Sequence, residues 1–358
     1  MRVMSVVGAR PQFVKLAPID AAFREAGIEH VIVHTGQHYD PMLSDVFFSD
    51  LGISAPDVHL GVGSGSHGVQ TGTMLAAMDE TIETYRPDWV LVYGDTNSTL
   101  AGALSAVKLH VPIAHLEAGL RSFNRAMPEE INRILTDHAA DLLLAPTEVG
   151  AAHLADEGLA DRTVVVGDVM TDILFSVRDS VVDTPSPVMT ELDLPEGGYS
   201  LATIHRAENT DDPERLRSIL ESLAAVDHPV VLLAHPRLVA KCAEHGIALG
   251  DSGNLRMHPP LAYPELIAST LHARGVVTDS GGLQKEAFLL RAPCTTVRPQ
   301  TEWVETVNLG WNVLVEPGQA LVRAASRPRP TEPAEAHPYG DGNAAHRVVQ
   351  ALTDHLPG

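Results

Sequence analysis

Short apolar runs alternate with longer mixed-polarity stretches along almost the whole chain, and that alternation limits the possible folds more than any other feature. MRVMSVVG reads as a strand, PQFVKLAPIDAAFREAG as a helix ending at Gly27, and EHVIVHTG as a second strand. WVLVYGD, rich in β-branched and aromatic residues, precedes a helical TNSTLAGALSAVKLH; VPIAHLEAG, DLLLAPT and TVVVGD are further short runs. The second half repeats the style, with YSLATIHR, PVVLLAHP and RGVVTDSGG as strands and DPERLRSILESLAAV and GLQKEAFLLRA as helices. Strand-then-helix repetition implies an α/β chain with parallel, doubly wound sheets.

A length of 358 residues suits two domains of ordinary size, and 44% apolar residues can fill two cores. SVRDSVVDTPSPVMTELDLPEGG, with three prolines and mixed polarity, reads as the linker region. The expected division is therefore 1–172 for an N-terminal Rossmann-like domain and 173–342 for a second one. A second proline-rich stretch, ASRPRPTEPAEAHPYGDGN, leads into AAHRVVQALTDHL. That last helix, within 343–358, is expected to pack back on the first domain. Open α/β sheets bind ligands beyond the carboxyl ends of their strands, so two such domains facing each other would place a site in their cleft.

The formal net charge of −21 disfavours nucleic acid and anionic membrane as partners. A small anionic ligand remains open, because helix N-termini and local cations act at short range. Cys242 and Cys294 lie in separate segments without metal-ligand spacing, so neither a disulfide framework nor a zinc site is expected and a reducing compartment fits. The first apolar run is too short for a signal peptide, and no run of about 18 apolar residues occurs. The expectation is a cytoplasmic protein.

The chemistry-bearing residues follow the strands. Gly8-Ala9-Arg10-Pro11, with Lys15 in the next helix, joins a glycine turn and two cations to a helix start, which suits an anion. Asp95 follows WVLVYG and could equally cap the helix beginning at Thr96. Glu117 and Arg121 end another strand and could form a plain ion pair. Glu129 follows Pro128 at a helix start, where an acidic residue also suits the helix dipole. His205 follows the first strand of the second half; among 18 histidines its strand-end position singles it out. Asp279-Ser280-Gly281-Gly282 joins a strand to a helix and exposes backbone N–H groups to a pyrophosphate, while Glu286, one turn on, could accept ribose hydroxyls. Neither a Walker motif nor a strand-adjacent G-x-G-x-x-G occurs, so nucleoside triphosphate hydrolysis and NAD binding fit poorly.

Taken together, GARPQFVKLAP, HTGQHYD, VYGDTNSTLAGALSA, HLEAGLRSFNRAMPEEINR, APTE, VVGDVMTD, TIHRAEN, TDSGGLQKEA, TEWVETV and PYGDGNAA resemble the non-hydrolysing UDP-N-acetylglucosamine 2-epimerase family nearly end to end and in the family's order. The resemblance implies the GT-B fold, two Rossmann-like doubly wound domains facing a cleft, and a homodimer. It implies inversion of C2 of a UDP-linked 2-acetamido sugar, by elimination of UDP and its re-addition, without nicotinamide or metal. It implies catalytic roles for Asp95, Glu117, Glu129 and His205. It also implies that Arg10, Lys15, Arg133, Leu266, Ser280, Gly281, Gly282 and Glu286 hold the nucleotide. Val69 and Ala207 stand where cell-wall members carry arginines that help bind a second, activating UDP-sugar, which argues against that second site here. TEWVE and the His235-Pro236-Arg237 run look more like the branch that includes epimerases of diacetamido-uronic or deoxy sugars. The competing readings are a hydrolysing epimerase, a GT-B glycosyltransferase and a catalytically silent UDP-sugar-binding protein.

Overall fold

The computed structural model describes residues 1–37, 53–330 and 337–356 and, within those ranges, every side chain but that of Arg10. The chain divides into two compact units, Met1–Ile173 with His337–Gly358, and Leu174–Ala336.

The first unit is built on a parallel seven-stranded sheet of β1 (Arg2–Val7), β2 (Glu29–His34), β3 (Val58–His59), β4 (Trp89–Tyr93), β5 (Ile113–Leu116), β6 (Leu142–Ala145) and β7 (Thr163–Val165). Their order across the sheet is β3-β2-β1-β4-β5-β6-β7. β4 and β5 are buried along their whole length, as expected for parallel strands covered on both faces. The order reverses between β1 and β4, which opens a crevice at their carboxyl ends. The helix Arg10–Ala26 follows β1 and stops at Gly27, whose φ of 66° is readily adopted by glycine. The terminal helix Ala344–Asp354 belongs to this unit's core: Val348 and Leu352 pack with Val3, Leu16 and Trp89. Asp172 accepts hydrogen bonds from the amides of Ala344 and Ala345 and so caps that helix, and Trp89 Nε1 donates to the Leu352 carbonyl at 3.1 Å.

The second unit carries a parallel six-stranded sheet of β8 (Ser200–Thr203), β9 (Val230–Leu233), β10 (Leu255–His258), β11 (Gly275–Thr278), β12 (Cys294–Thr296) and β13 (Asn312–Leu314), ordered β10-β9-β8-β11-β12-β13. Its reversal falls between β8 and β11, so the turns after those strands open on a second crevice. The proline-rich segment read as linker instead carries helices: Val169–Val181 runs into it, and Pro187–Leu192 begins at a proline capped by Ser186. Cys242 and Cys294 are both buried free thiols. Among the described residues no helix is long and apolar enough to cross a membrane.

Candidate active site

In the first unit the turns after β1, β4 and β5 meet at the crevice. Gly8 lies so close to Thr35 and Ser98 that any Cβ there would collide with their hydroxyls. Arg10 opens the following helix, and its side chain lies outside the described set, as do residues 38–40 of HTGQHYD. One turn further, the Lys15 ammonium contacts Glu117 Oε2. Burial favours the neutral form of Lys15, but the charge and hydrogen bond of Glu117, helped by Asp168 and Asp95, outweigh it and raise its pKa. Glu117 sits at φ 73°, a left-handed conformation costing a non-glycine residue on the order of 1–3 kcal/mol. Gly94 makes room for this pair: at φ 63°, a Cβ would stand 2.9 Å from Glu117 Oε2 and 3.5 Å from Lys15 Nζ.

Asp95 faces Arg133, whose Nη2 lies 2.5 Å from Oδ2. It does not cap the next helix; Thr96 does, accepting from the Thr99 amide. Asn132 Nδ2 donates to the Asp95 carbonyl at 2.9 Å. Glu129 is half-buried in the first turn of the helix Pro128–Ala139. The ion pair suggested for Glu117 and Arg121 does not form. Glu117 pairs with Lys15, whereas Arg121 binds Asp137 at 2.7 Å and grips Glu157 with two nitrogens at 2.7 and 2.8 Å.

In the second unit His205, Leu266, Ser280, Gly282 and Glu286 line one cavity of about 340 Å³, together with His235 and Tyr263. The fully buried Asp279 accepts from the amides of His205 and Arg206 and from Asn209 Nδ2, and its Oδ1 lies 3.2 Å from His205 Nδ1. His205 is thereby fixed through its backbone. Its ring lies 4.9 Å from that of His235, and burial together with the charge of His205 lowers the pKa of His235. Ser280 caps the helix Gly281–Leu289, whose first amides have no partner within the helix. Gly282 is open, with no atom within 4 Å of a Cβ position, whereas a Cβ on Gly281 would collide with Glu302. Gly281 is thus constrained by Glu302, while Gly282 faces the cavity. Glu286 accepts from the Tyr263 hydroxyl at 3.0 Å; burial pushes its carboxyl up, against the opposing effects of Tyr263 and Lys285.

The sequence pattern that defines UDP-N-acetylglucosamine 2-epimerases matches residues 21–353. The chain belongs to the UDP-N-acetylglucosamine 2-epimerase family. It is 46% identical to the UDP-2,3-diacetamido-2,3-dideoxy-D-glucuronate 2-epimerase of Pseudomonas aeruginosa, over 98% of this chain and 99% of that one. The solved UDP-GlcNAc 2-epimerase of Methanocaldococcus jannaschii is 36% identical and superposes with a TM-score of 0.87, covering 99% of this chain and 100% of that one. The same enzyme solved in complex with UDP-GlcNAc and UDP superposes at 0.77, with 37% identity and the same coverage. As an epimerase of this family the chain is a nucleotide-sugar isomerase of GT-B-like fold.

Several residues around the family motifs escaped the sequence reading. Glu130 is buried, and accepts from the Ser122 and Phe123 amides at 2.8 Å and from Arg133 at 2.9 Å, so it aims the arginine that meets Asp95. Asp137 and His115 lie deeper still. A glutamate beside Glu129 reads as one more helix-start acid; only the fold shows that it faces inward.

Proposed function

We propose that the substrate is a UDP-linked 2-acetamido sugar and that its C2 is inverted by elimination and re-addition of UDP. The C–H at C2 is weakly acidic, and direct deprotonation would leave an unstabilised carbanion. Breaking the C1–O bond, with the electron pair leaving on UDP, makes the C2 proton easier to remove. Loss of that proton to a carboxylate then gives a 2-acetamidoglycal. Returning a proton to the other face of C2, with UDP oxygen reattaching at C1, completes the inversion without net redox change.

Asp95, Glu117 and Glu129 are the acid–base groups in this reading. Arg10, Arg133 and the Ser280-Gly281-Gly282 turn stabilise the departing diphosphate, with His205 as a further cation. Lys15 stands between the two sets of roles: the family resemblance puts it on the diphosphate, and its contact is with Glu117. Leu266 and Glu286 take the nucleoside. The observation that carries the reading is the placement of Glu117 against Lys15 and Asp95 against Arg133, at the ends of the adjacent parallel strands β5 and β4.

The substrate class includes UDP-N-acetylglucosamine and the 2,3-diacetamido uronate acted on by the Pseudomonas relative. A homodimer working in the cytoplasm completes the proposal. The test is turnover of a panel of such UDP-sugars in deuterated water, followed by NMR. Deuterium at C2 in a mixture of two UDP-sugar epimers is the expected result. Free sugar with released UDP would make the enzyme a hydrolysing epimerase, and epimerisation without deuterium would rule out proton exchange.

A further inference from the structure

The helix Pro128–Ala139 carries, seven residues after Glu130 and so on the same face, a second carboxylate without solvent contact, Asp137. Its Oδ1 lies 2.6 Å from His115 Nδ1. Its Oδ2 takes Arg121 Nη1 at 2.7 Å and the Gly119 amide at 3.2 Å. On the far side of the ring, His115 Nε2 lies 2.7 Å from the carbonyl oxygen of Gly94. His115, the third residue of β5, has no solvent exposure.

The hydrogen positions follow from the partners. A carbonyl oxygen only accepts, so Nε2 carries a hydrogen. Burial favours the neutral form of Asp137, but two donors on its Oδ2 that do not depend on His115, the Arg121 guanidinium at 2.7 Å and the Gly119 amide at 3.2 Å, keep it ionised. An ionised carboxylate only accepts, so Nδ1 carries a hydrogen as well. A histidine that donates from both nitrogens is an imidazolium. The surrounding charges balance it: His115 and Arg121 are the cations, Asp137 and Glu157 the anions, and His138 reaches Glu157 at 3.2 Å from the outside. A buried cation is tolerated where such pairing is complete.

We propose that His115 is a buried imidazolium and, with Asp137, a positioning pair for the acid–base residues Asp95 and Glu117. It grips the Gly94 carbonyl, the last peptide group before Asp95, with a charge-assisted hydrogen bond. It stands on the same strand end two residues before Glu117. Asp137 holds the Gly119 amide two residues after Glu117. Gly94, Glu117 and Gly119 all have positive φ, at 63°, 73° and 82°. A strained glutamate persists only where its surroundings over-determine it, and this network supplies those restraints from inside the fold. The positioning role rests on Asp95 and Glu117 being the groups that move protons; the charge state of His115 does not.

The test therefore has two readouts. Side-chain ¹⁵N NMR of the full-length, histidine-labelled protein near neutral pH, assigned through ring-to-backbone correlations, should show His115 protonated on both nitrogens. A neutral tautomer, with one bare nitrogen, would overturn the proposal whatever the enzyme's activity. Asp137→Asn then removes the charge and keeps the shape. The expected result is a neutral His115 and a kcat lower by about 10-fold to 100-fold, with KM within about 2-fold, as for reacting groups displaced by a fraction of an ångström. An unchanged kcat, or a raised KM with kcat intact, would reduce the network to scaffolding. Should this variant fail to fold, the wild-type spectrum still decides the charge state, and the same kinetic split is read on His115→Gln. Full activity in Asp95→Asn and Glu117→Gln would instead strike the catalytic reading and leave the imidazolium standing.

Discussion

In the first unit two of the site carboxylates meet cations: Glu117 touches Lys15 and Asp95 meets Arg133, which Glu130 braces. In the second unit Glu286 meets the hydroxyl of Tyr263, and burial raises its pKa. Ser280 and Gly282 present a helix start to a cavity there. The difference is one of preparation. Paired carboxylates are held in place by their cations, which suits groups that must take a proton at a set position. The amides of the helix start at Ser280 and the desolvated carboxyl of Glu286 suit nucleotide binding.

The sharpest test of that division compares one carboxylate from each region. Glu117→Gln should lower kcat by about 10²-fold to 10⁴-fold, the usual worth of a positioned acid or base, and leave UDP affinity within a few-fold of wild type. Glu286→Gln should do the reverse, raising KM with kcat almost unchanged. Steady-state kinetics with UDP titrations on both variants would measure this, and a Glu117→Gln enzyme with normal kcat would end the comparison.

Lys15 probes the boundary between the two behaviours. Its contact with Glu117 predicts that Lys15→Met lowers kcat by about 10-fold to 100-fold while the UDP dissociation constant moves less than about 3-fold. A larger loss of UDP affinity than of kcat would assign this ammonium to the diphosphate and leave Glu117 without its cation in the bound state.

The readability of these features from sequence followed their length and locality. β1, β4 and β8 end in apolar-run-then-turn patterns, and Gly8, Asp95 and His205 follow them in the turns at the strand ends. β3, β12 and β13 have two or three residues, too few for any period to register. Pro187 read as a chain breaker, yet at the first position of a helix its missing N–H costs nothing. The possible Glu117–Arg121 ion pair does not form because Glu117 lies in a left-handed turn after β5, which separates the two side chains. The true partner, Lys15, is 102 residues away in sequence, as no local pattern announces.

The smallest expected effect concerns pH, and there the two regions should carry opposite signs. Asp137 has its carboxyl held below the ordinary 3.8, so its contribution is present above that value and is lost as pH falls through the folded-state pKa. Glu286 is raised above the ordinary 4.5. Its contribution is complete below 4.5 and is lost as pH rises through the raised folded-state pKa, because the folded protein then keeps a proton that the unfolded chain releases. Glu286→Gln removes that loss. The variant and the wild type should therefore unfold alike near pH 4, and the variant should gain about 2 °C to 4 °C in Tm at neutral pH, about what 1 kcal/mol gives in a unit of this size. Thermal unfolding of the ligand-free proteins across this range would measure it. A Tm difference that stayed flat with pH would mean that Tyr263 already satisfies Glu286 in the folded protein, and the contrast between the two regions would then rest on the Ser280 turn alone.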